Sequence, residues 1–454
     1  MKRSWLWWVL LVVLLAVIGR ACAQETPKDD AFSRLQFDRL AAKHADVLKY
    51  AAALQGKPTA LKGLQDLRAV IHTHSFLSHD SRGTLEQMTA AAKATGTQVV
   101  MLSDHTSKEH DYYREGFKGM HDGVLFIPGA ETRGFLVYPR SPLDPAAPPT
   151  AQALIDAVLK TGGVIFASHI EGWPENAWSV TNLTGTEAYN THFELKRRPE
   201  FADLDRNPVK LLTLIKAVEK YPREGFGALQ SYMKEYLALV DRETQMRRLT
   251  LVSANDSHAN TGITIKGGEN GKVVITDPLG EKLTETDAAM VRMLGISLPE
   301  NLQPGQVGFT FLLDTYERSF GYTSTHLLAK GLDEDSVFAA LKAGHTYLAF
   351  DWIAEPRGFS FALWDPANPN QPPAAIMGGQ YPFRAGLNLQ AAVPLPARLR
   401  LFRNGQPVPL PEPEALKSQL KFPLAERGVY RLEAWLPLGD EVLPWILSAP
   451  IYVQ

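Results

Sequence analysis

From residue 30 to about 55, the apolar side chains Phe32, Leu35, Phe37, Leu40, Leu48 and Ala52 recur at helical spacing, and Gly56 and Pro58 end the pattern. The stripe predicts one or two helices at the start of the folded chain. Beyond it the period changes. Short apolar runs predict strands at 67–71, 98–102 and 124–127, and an amphipathic stretch at 85–94 predicts a helix between the first two. The rhythm continues with a helix at 150–160, a strand at 164–167, helical stretches over 209–247 and a strand at 249–253. Strands alternating with helices predict an α/β fold around a parallel sheet or barrel.

Two stretches interrupt the rhythm. Residues 139–149 are too rich in proline for a helix interior and predict a surface loop. Residues 263–305 form a Gly-rich and then mixed insertion with no clear period, to which the sequence assigns no role. After a helix at 333–343, alternating segments at 359–363, 387–392, 398–403, 428–435 and 445–453 are separated by Pro and Gly turns. They predict an appended β-sandwich-like domain. The resulting layout is an N-terminal helical segment at 24–60, an α/β domain at 61–355 with the insertion at about 263–305, and the β domain at 356–454.

Composition removes several classes of function. A formal net charge of -2 over 454 residues gives no bulk attraction to nucleic acid, so no nucleic-acid partner is expected and an anionic substrate must be captured by a local site. Lys2-Arg3, an apolar run from Trp5 to Ile18 and Ala21-x-Ala23 have the three regions of a secretory signal peptide over 1–23. The run is shorter than the roughly 20 residues of a membrane span. The expectation is a periplasmic or secreted mature chain from Gln24, with no integral membrane span. An uncleaved anchor is one alternative; a lipoprotein through Cys22 is another, weakened by Arg20. Cys22 is the only cysteine, so the mature chain has no disulfide and no thiolate. Any metal must be held by oxygen and imidazole.

Five segments place a His or a carboxylate just after an apolar, strand-like run, where α/β folds display catalytic groups. They end in His72-Thr-His74, Asp104-His105, Glu131, His169 and Asp256-Ser-His258. Side-chain alternation would put His72 and His74 on one side of a strand, within reach of one ion. Each motif alone is weak. Core histidines satisfied by hydrogen bonds do not explain why carboxylates share the same strand-end positions, so the five together predict a metal cluster.

These residues resemble the polymerase and histidinol phosphatase (PHP) superfamily of metal-dependent phosphoesterases over about 64–260. His72-Thr-His74-Ser-Phe-Leu-Ser78-His79-Asp80 is similar to the family's first motif, which more often shows Ser-Asp-Gly after the paired histidines. Met101-Leu-Ser103-Asp104-His105 is similar to the second, with Ser for Thr. Pro128-Gly-Ala-Glu131, Ala167-Ser-His169 and Asn255-Asp256-Ser-His258 resemble the remaining motifs in the family's order. The resemblance implies a distorted (βα)7 barrel with two or three divalent transition-metal ions, Mn, Fe or Zn. It also implies roles: His72, His74, Glu131 and Asp256 on one ion, Glu131 bridging to a second held by His169, and His105 and His258 on a third. The third ion's remaining ligand is His79 or Asp80, with His79 favoured, and His192 is a further candidate for the second ion. The segments at 339–347 and 444–452 look like an exported subgroup with a C-terminal β domain, near which a carbamate hydrolase occurs.

Around such ions Asp104 would orient an imidazole or accept a proton, and Arg133, two residues beyond Glu131, would pair with a substrate phosphate. The expected activity is hydrolysis of a small-molecule phosphate ester. A carbamate, amide or carboxylic ester hydrolase on the same metals is the alternative, and a non-catalytic metal- or ligand-binding protein is the alternative from another class.

Overall fold

The computed structural model describes residues 30–54, 61, 63–143, 150–173, 175–201, 204, 207–228, 230, 234–368 and 371–454. The expected signal peptide at 1–23 with Cys22, both ends of the 24–60 segment and positions 144–149 of the proline-rich loop lie outside these residues. Among the described residues, no helix is long and apolar enough to cross a membrane.

The fold is mixed α/β. Its main strands are β1 (Gln65–Thr73), β2 (Val99–Leu102), β3 (Val124–Ile127), β4 (Phe135–Tyr138), β5 (Val164–Ala167), β6 (Gly185–Asn190) and β7 (Thr250–Ser257). β1 pairs in parallel with β2, and β2 with β3. The short strand Ala130–Thr132, just after β3, turns back antiparallel into β4, and β4 pairs antiparallel with β5. β5, β6 and β7 then pair in parallel, and β7 pairs in parallel with β1. The pairing therefore returns to its start. Along β1 every residue after Gln65 is buried, as expected of a strand covered on both faces.

The helix Leu85–Thr95 returns the chain from β1 to β2. Thr84 and Gln87 close its first turn as a reciprocal capping box, and Gly96 ends it in the left-handed region. The β-α alternation read from the sequence is broken at β4, where the two residues Arg133 and Gly134, both at positive φ (53° and 80°), reverse the chain with no helix. A two-residue turn with positive φ at both positions matches the twist of the strands it joins.

The free part of β1's edge is used by an antiparallel strand, β8 (Ser324–Ala329), which pairs with Gln65 to Ala69 while β7 pairs further along. β9 (Thr346–Ala349) pairs with β8, and the C-terminal strand Glu441–Ser448 pairs with β9. The C-terminal strands are thus hydrogen-bonded to the first sheet. One hydrophobic cluster runs from Ile155, Tyr189 and Leu251 through Trp352 to Leu401, Leu432 and Ile446. Where the sequence predicted two strands at 387–392 and 398–403, one strand spans Asn388–Arg403. Pro394 and Pro396 fall within its register shift between Ala392 and Ala397, where no ladder donor is needed.

The stretch with no clear period supplies three strands of a four-stranded antiparallel sheet in the order Lys282–Asp287, Lys272–Thr276, Gly262–Gly267, Val307–Leu312, the last lying just beyond it. Its first hairpin turns at Asn270 and Gly271, with φ of 55° and 75°.

Candidate metal centre

The site begins with a backbone irregularity. Between Ile71 and Thr73 the register of β1 shifts against both β2 and β7, and His72 sits there at φ 67°. His72 and His74 come together, with ring centroids 5.2 Å apart, through this bulge and not through simple alternation. Asp256 near the end of β7 and His169 just beyond β5 also have positive φ, 50° and 51°.

These side chains converge. His72 Nε2 is 3.2 Å from Glu131 Oε2 and 3.3 Å from Asp256 Oδ1. His74 Nε2 is 3.5 Å from the same Asp256 oxygen and 3.7 Å from Glu131 Oε2. Glu131 faces two ways: Oε2 also lies 3.5 Å from His105 Nδ1, while Oε1 is 3.0 Å from His169 Nε2 and accepts from the Ser168 hydroxyl. Asp256 Oδ2 lies 3.5 Å from His169 Nε2. On the other flank, Asp80 Oδ2 is 3.2 Å from His258 Nε2 and 3.4 Å from His105 Nε2. Among the described residues three overlapping groups have the spacing to hold a metal ion: His74, Asp80, His105 and His258; His72, His74 and Glu131; His72, His169 and Asp256.

Two of the expected ligands stand outside these groups. The His79 side chain is 79% exposed, and the favoured position passes to Asp80, which turns inward between His105 and His258. His79 keeps a ring contact with His105 and lies 4.0 Å from Asp80 Oδ1. His192, on the helix Thr191–Arg197, reaches the edge of the site, its ring centroid 5.1 Å from that of His258. Burial holds its imidazole down at about 4.

Asp104 is buried and accepts from the Ser75 N–H at 2.6 Å, the Ser75 hydroxyl at 2.9 Å and the Ser78 hydroxyl at 3.3 Å. Ser78 Oγ in turn lies 3.0 Å from His74 Nδ1 and accepts from the His105 N–H. The Asp104 carboxylate therefore acts on His74 at one remove, through Ser78, and has no exposed face for substrate. Arg133 occupies the exposed Arg133-Gly134 turn and lines a groove of about 700 Å³ beside the cluster with Thr106, Lys108, Tyr112 and Thr132.

The residue that sequence reasoning missed is Glu187. It is fully buried on β6, with Oε1 2.6 Å from His72 Nδ1 and Oε2 accepting from the His169 N–H and the Asn190 side chain. One carboxylate thus fixes His72 and the backbone of His169 together, and leaves His72 Nε2 aimed at the centre. Its one available signal was a lone Glu inside an otherwise uncharged strand, a group that must be paired if buried.

Metal is consistent with the chemistry of these donors. His72 Nε2, His74 Nε2, Asp80 Oδ1 and Asp256 Oδ1 are buried without any hydrogen-bond partner, an arrangement costly unless a cation faces them. Without one, protons do the balancing. His72 is held well above its ordinary value, against the effect of burial, by Asp256, Glu131 and Glu187. Burial, with His258 adding to it, drives His74 down to about 3. His169 rises to about 10 because Glu131 and Glu171 outweigh burial. Glu131 and Asp256 stay far below the usual carboxylate range, burial being overcome by the His72 charge first.

No family model matches the chain, and no curated protein matches it. Among solved structures it is similar to a two-domain protein containing a predicted PHP-like metal-dependent phosphoesterase, from Bacteroides vulgatus ATCC 8482. The identity is 13%, the match covers 86% of this chain and 97% of that chain, and the TM-score is 0.34.

Proposed function

We propose that this chain is an exported, metal-dependent phosphoesterase of the PHP type, with the strand circuit as a distorted (βα)7 barrel and His72, His74, Asp80, His105, Glu131, His169, Asp256 and His258 as its metal ligands. The observation that carries the reading is a set of three buried ligand atoms without a hydrogen-bond partner, His72 Nε2 and His74 Nε2 lying 3.3 Å and 3.5 Å from Asp256 Oδ1 at the strand ends. Divalent ions bound there would supply Lewis acidity toward phosphoryl oxygens and make water acidic enough to attack at neutral pH.

The chain's own residues do the positioning. Glu131 spans the His72/His74/His105 side with one oxygen and the His169 side with the other. Asp80 ties His105 to His258. Arg133, on the turn that follows Glu131, is suited to a phosphate oxygen, since a guanidinium offers paired donors at fixed spacing. Export rests on the N-terminal segment, with Lys2-Arg3, the apolar run and Ala21-x-Ala23.

The deciding experiment reconstitutes metal-stripped protein with Mn, Fe or Zn and assays chromogenic phosphate monoesters, phosphate diesters and carboxylic esters. Phosphate ester hydrolysis that depends on metal is expected. Turnover of carboxylic esters alone would move the chain to acyl hydrolysis, and failure to retain any metal would remove the site.

A further inference from the structure

A second cavity, of about 280 Å³, lies toward the start of β1, away from His72 and His74. Arg68 of β1 is on its wall, four residues and therefore about 13 Å along the strand from His72. Arg223, from the helix Pro222–Gly227, and Arg318, from the helix Tyr316–Tyr322, line the same space, and Phe226, Tyr322 and Trp352 give it an aromatic side.

Of the three guanidinium groups here, the buried Arg68 has a carboxylate partner, and the exposed Arg223 and half-buried Arg318 have none among the described residues. Arg68 is 7% exposed; it donates to the carbonyls of Thr95 and Phe320 and lies 3.3 Å from Asp351 Oδ1, yet its buried Nε has no acceptor. Arg223 donates to the backbone carbonyl of Asp351, and Arg318 to the Leu312 carbonyl and the Thr315 hydroxyl. Among the described residues, neither Arg223 nor Arg318 is within ion-pair distance of a carboxylate. Of the neighbouring acids, Asp351 balances Arg68 and also meets His326 and Ser324, Asp314 acts on Arg318 from a distance while accepting the N–H groups of Asn260 and Thr261, Glu224 is engaged with His44, and Glu355 with Arg357. Glu317 is on the wall but exposed.

We propose that this cavity binds a small oxyanion of the phosphate class, held by the Arg223 and Arg318 guanidinium groups, with Arg68 behind them on the wall. Guanidinium forks match tetrahedral and planar oxyanions with paired charge-assisted hydrogen bonds. The volume sits just under the range of about 300–1,000 Å³ usual for small-molecule pockets, so the ligand is inorganic phosphate or a phosphate on one small ring. The aromatic side suits the ring. The site is separate from the metal centre and needs no metal.

Calorimetric titration of metal-stripped protein with inorganic phosphate, and in a second arm with phenylphosphonate, tests it. One anion per chain is expected. The Arg223→Gln/Arg318→Gln double variant should bind at least about tenfold more weakly, because two charge-assisted bonds are lost. Tighter binding of phenylphosphonate assigns the aromatic side to the ligand, and tighter binding of phosphate assigns the site to the free ion. Equal affinity in wild type and double variant overturns the proposal, as does no binding of either anion. Should the double variant not fold, the wild type decides alone: phosphate at constant ionic strength must raise the Tm above that in chloride. An equal Tm in the two salts overturns the proposal.

Discussion

Three of the side chains that crowd the metal centre, His72, His169 and Asp256, sit on left-handed backbone that non-glycine residues avoid at a cost of about 1–3 kcal/mol each. The strain turns neighbouring strand-end side chains toward one point, and Glu187 holds two of the three in place. Its charge is what keeps the His72 Nδ1 proton fixed. Glu187→Gln keeps the size and the fold, and metal affinity measured by competition with a chelator should fall about 10–100-fold. Unchanged affinity would mean that the bulge alone orients His72. A second contrast separates the neighbours His79 and Asp80. Asp80→Asn should lower the number of bound ions by elemental analysis, while His79→Ala should leave it unchanged, since His79 projects into solvent. Loss of metal from His79→Ala would restore His79 as a ligand. At this scale the sequence was informative about residue types and poor about direction. His72, His74, His105, Glu131, His169, Asp256 and His258 stood out because they end apolar strands. Nothing in the string His79-Asp80 says which side chain turns inward, because a one-residue rotation in a loop leaves no periodic trace.

Elements were legible where their period was long and clean, as in the helix that became Leu85–Thr95 and the strands β3 and β5. They were missed where a turn dipeptide was the only sign. Asn270-Gly271, flanked by Ile263, Ile265, Val273 and Ile275, is a strong hairpin signal, hidden by the surrounding glycines. The prolines at 394 and 396 misled in the other direction, since a register shift absorbs them inside one strand. The junction of β8 with β1 could not be read at all, because its cement is a buried network. His326 Nδ1 is 2.7 Å from Asp66 Oδ1, its Nε2 is 3.2 Å from Asp351 Oδ1, and the Tyr347 hydroxyl donates to Asp66 at 2.6 Å. Burial opposes a charge on His326, but Asp66 and Asp351 prevail and raise it from 6.5 to about 9. A raised folded-state value means that the charged imidazole stabilises the fold fully below pH 6.5 and that this contribution is lost as pH rises through about 9. The difference in urea midpoint between wild type and His326→Gln should therefore be largest in mild acid and shrink above that pH. A difference independent of pH would show a neutral His326 in the folded chain.

At the scale of the whole molecule, the two ends of the described chain are tied by charge. Arg34, at the end of the helix Ala31–Arg34, and Lys43, within Phe37–Ala53, both meet Glu441, at 2.8 Å and 2.5 Å. Glu441 opens the C-terminal strand Glu441–Ser448. The exposure of the three side chains is 2%, 1% and 6%, so this is a buried triad. Burial lowers the Lys43 ammonium from its ordinary value even against the pull of Glu441. Two buried cations share one carboxylate, with the less buried Arg39 3.8 Å from it as well, and no local pattern links positions some four hundred residues apart, so the helices read from sequence as a separate N-terminal segment. The neighbouring pair is different: Asp440, which meets Arg39, is 52% exposed. Removing the buried carboxylate takes an ion partner from two desolvated cations, whereas removing the exposed one only releases a solvated side chain. Glu441→Gln should lower stability by roughly 3–5 kcal/mol in urea denaturation, and Asp440→Asn by no more than about 1 kcal/mol. Because the triad joins the N-terminal helices to a sheet continuous with β9, β8 and β1, the Glu441→Gln protein should still unfold in one transition at a lower midpoint. A separate early transition, with metal binding retained, would show that the helices are a detachable strap and that the metal centre does not depend on them.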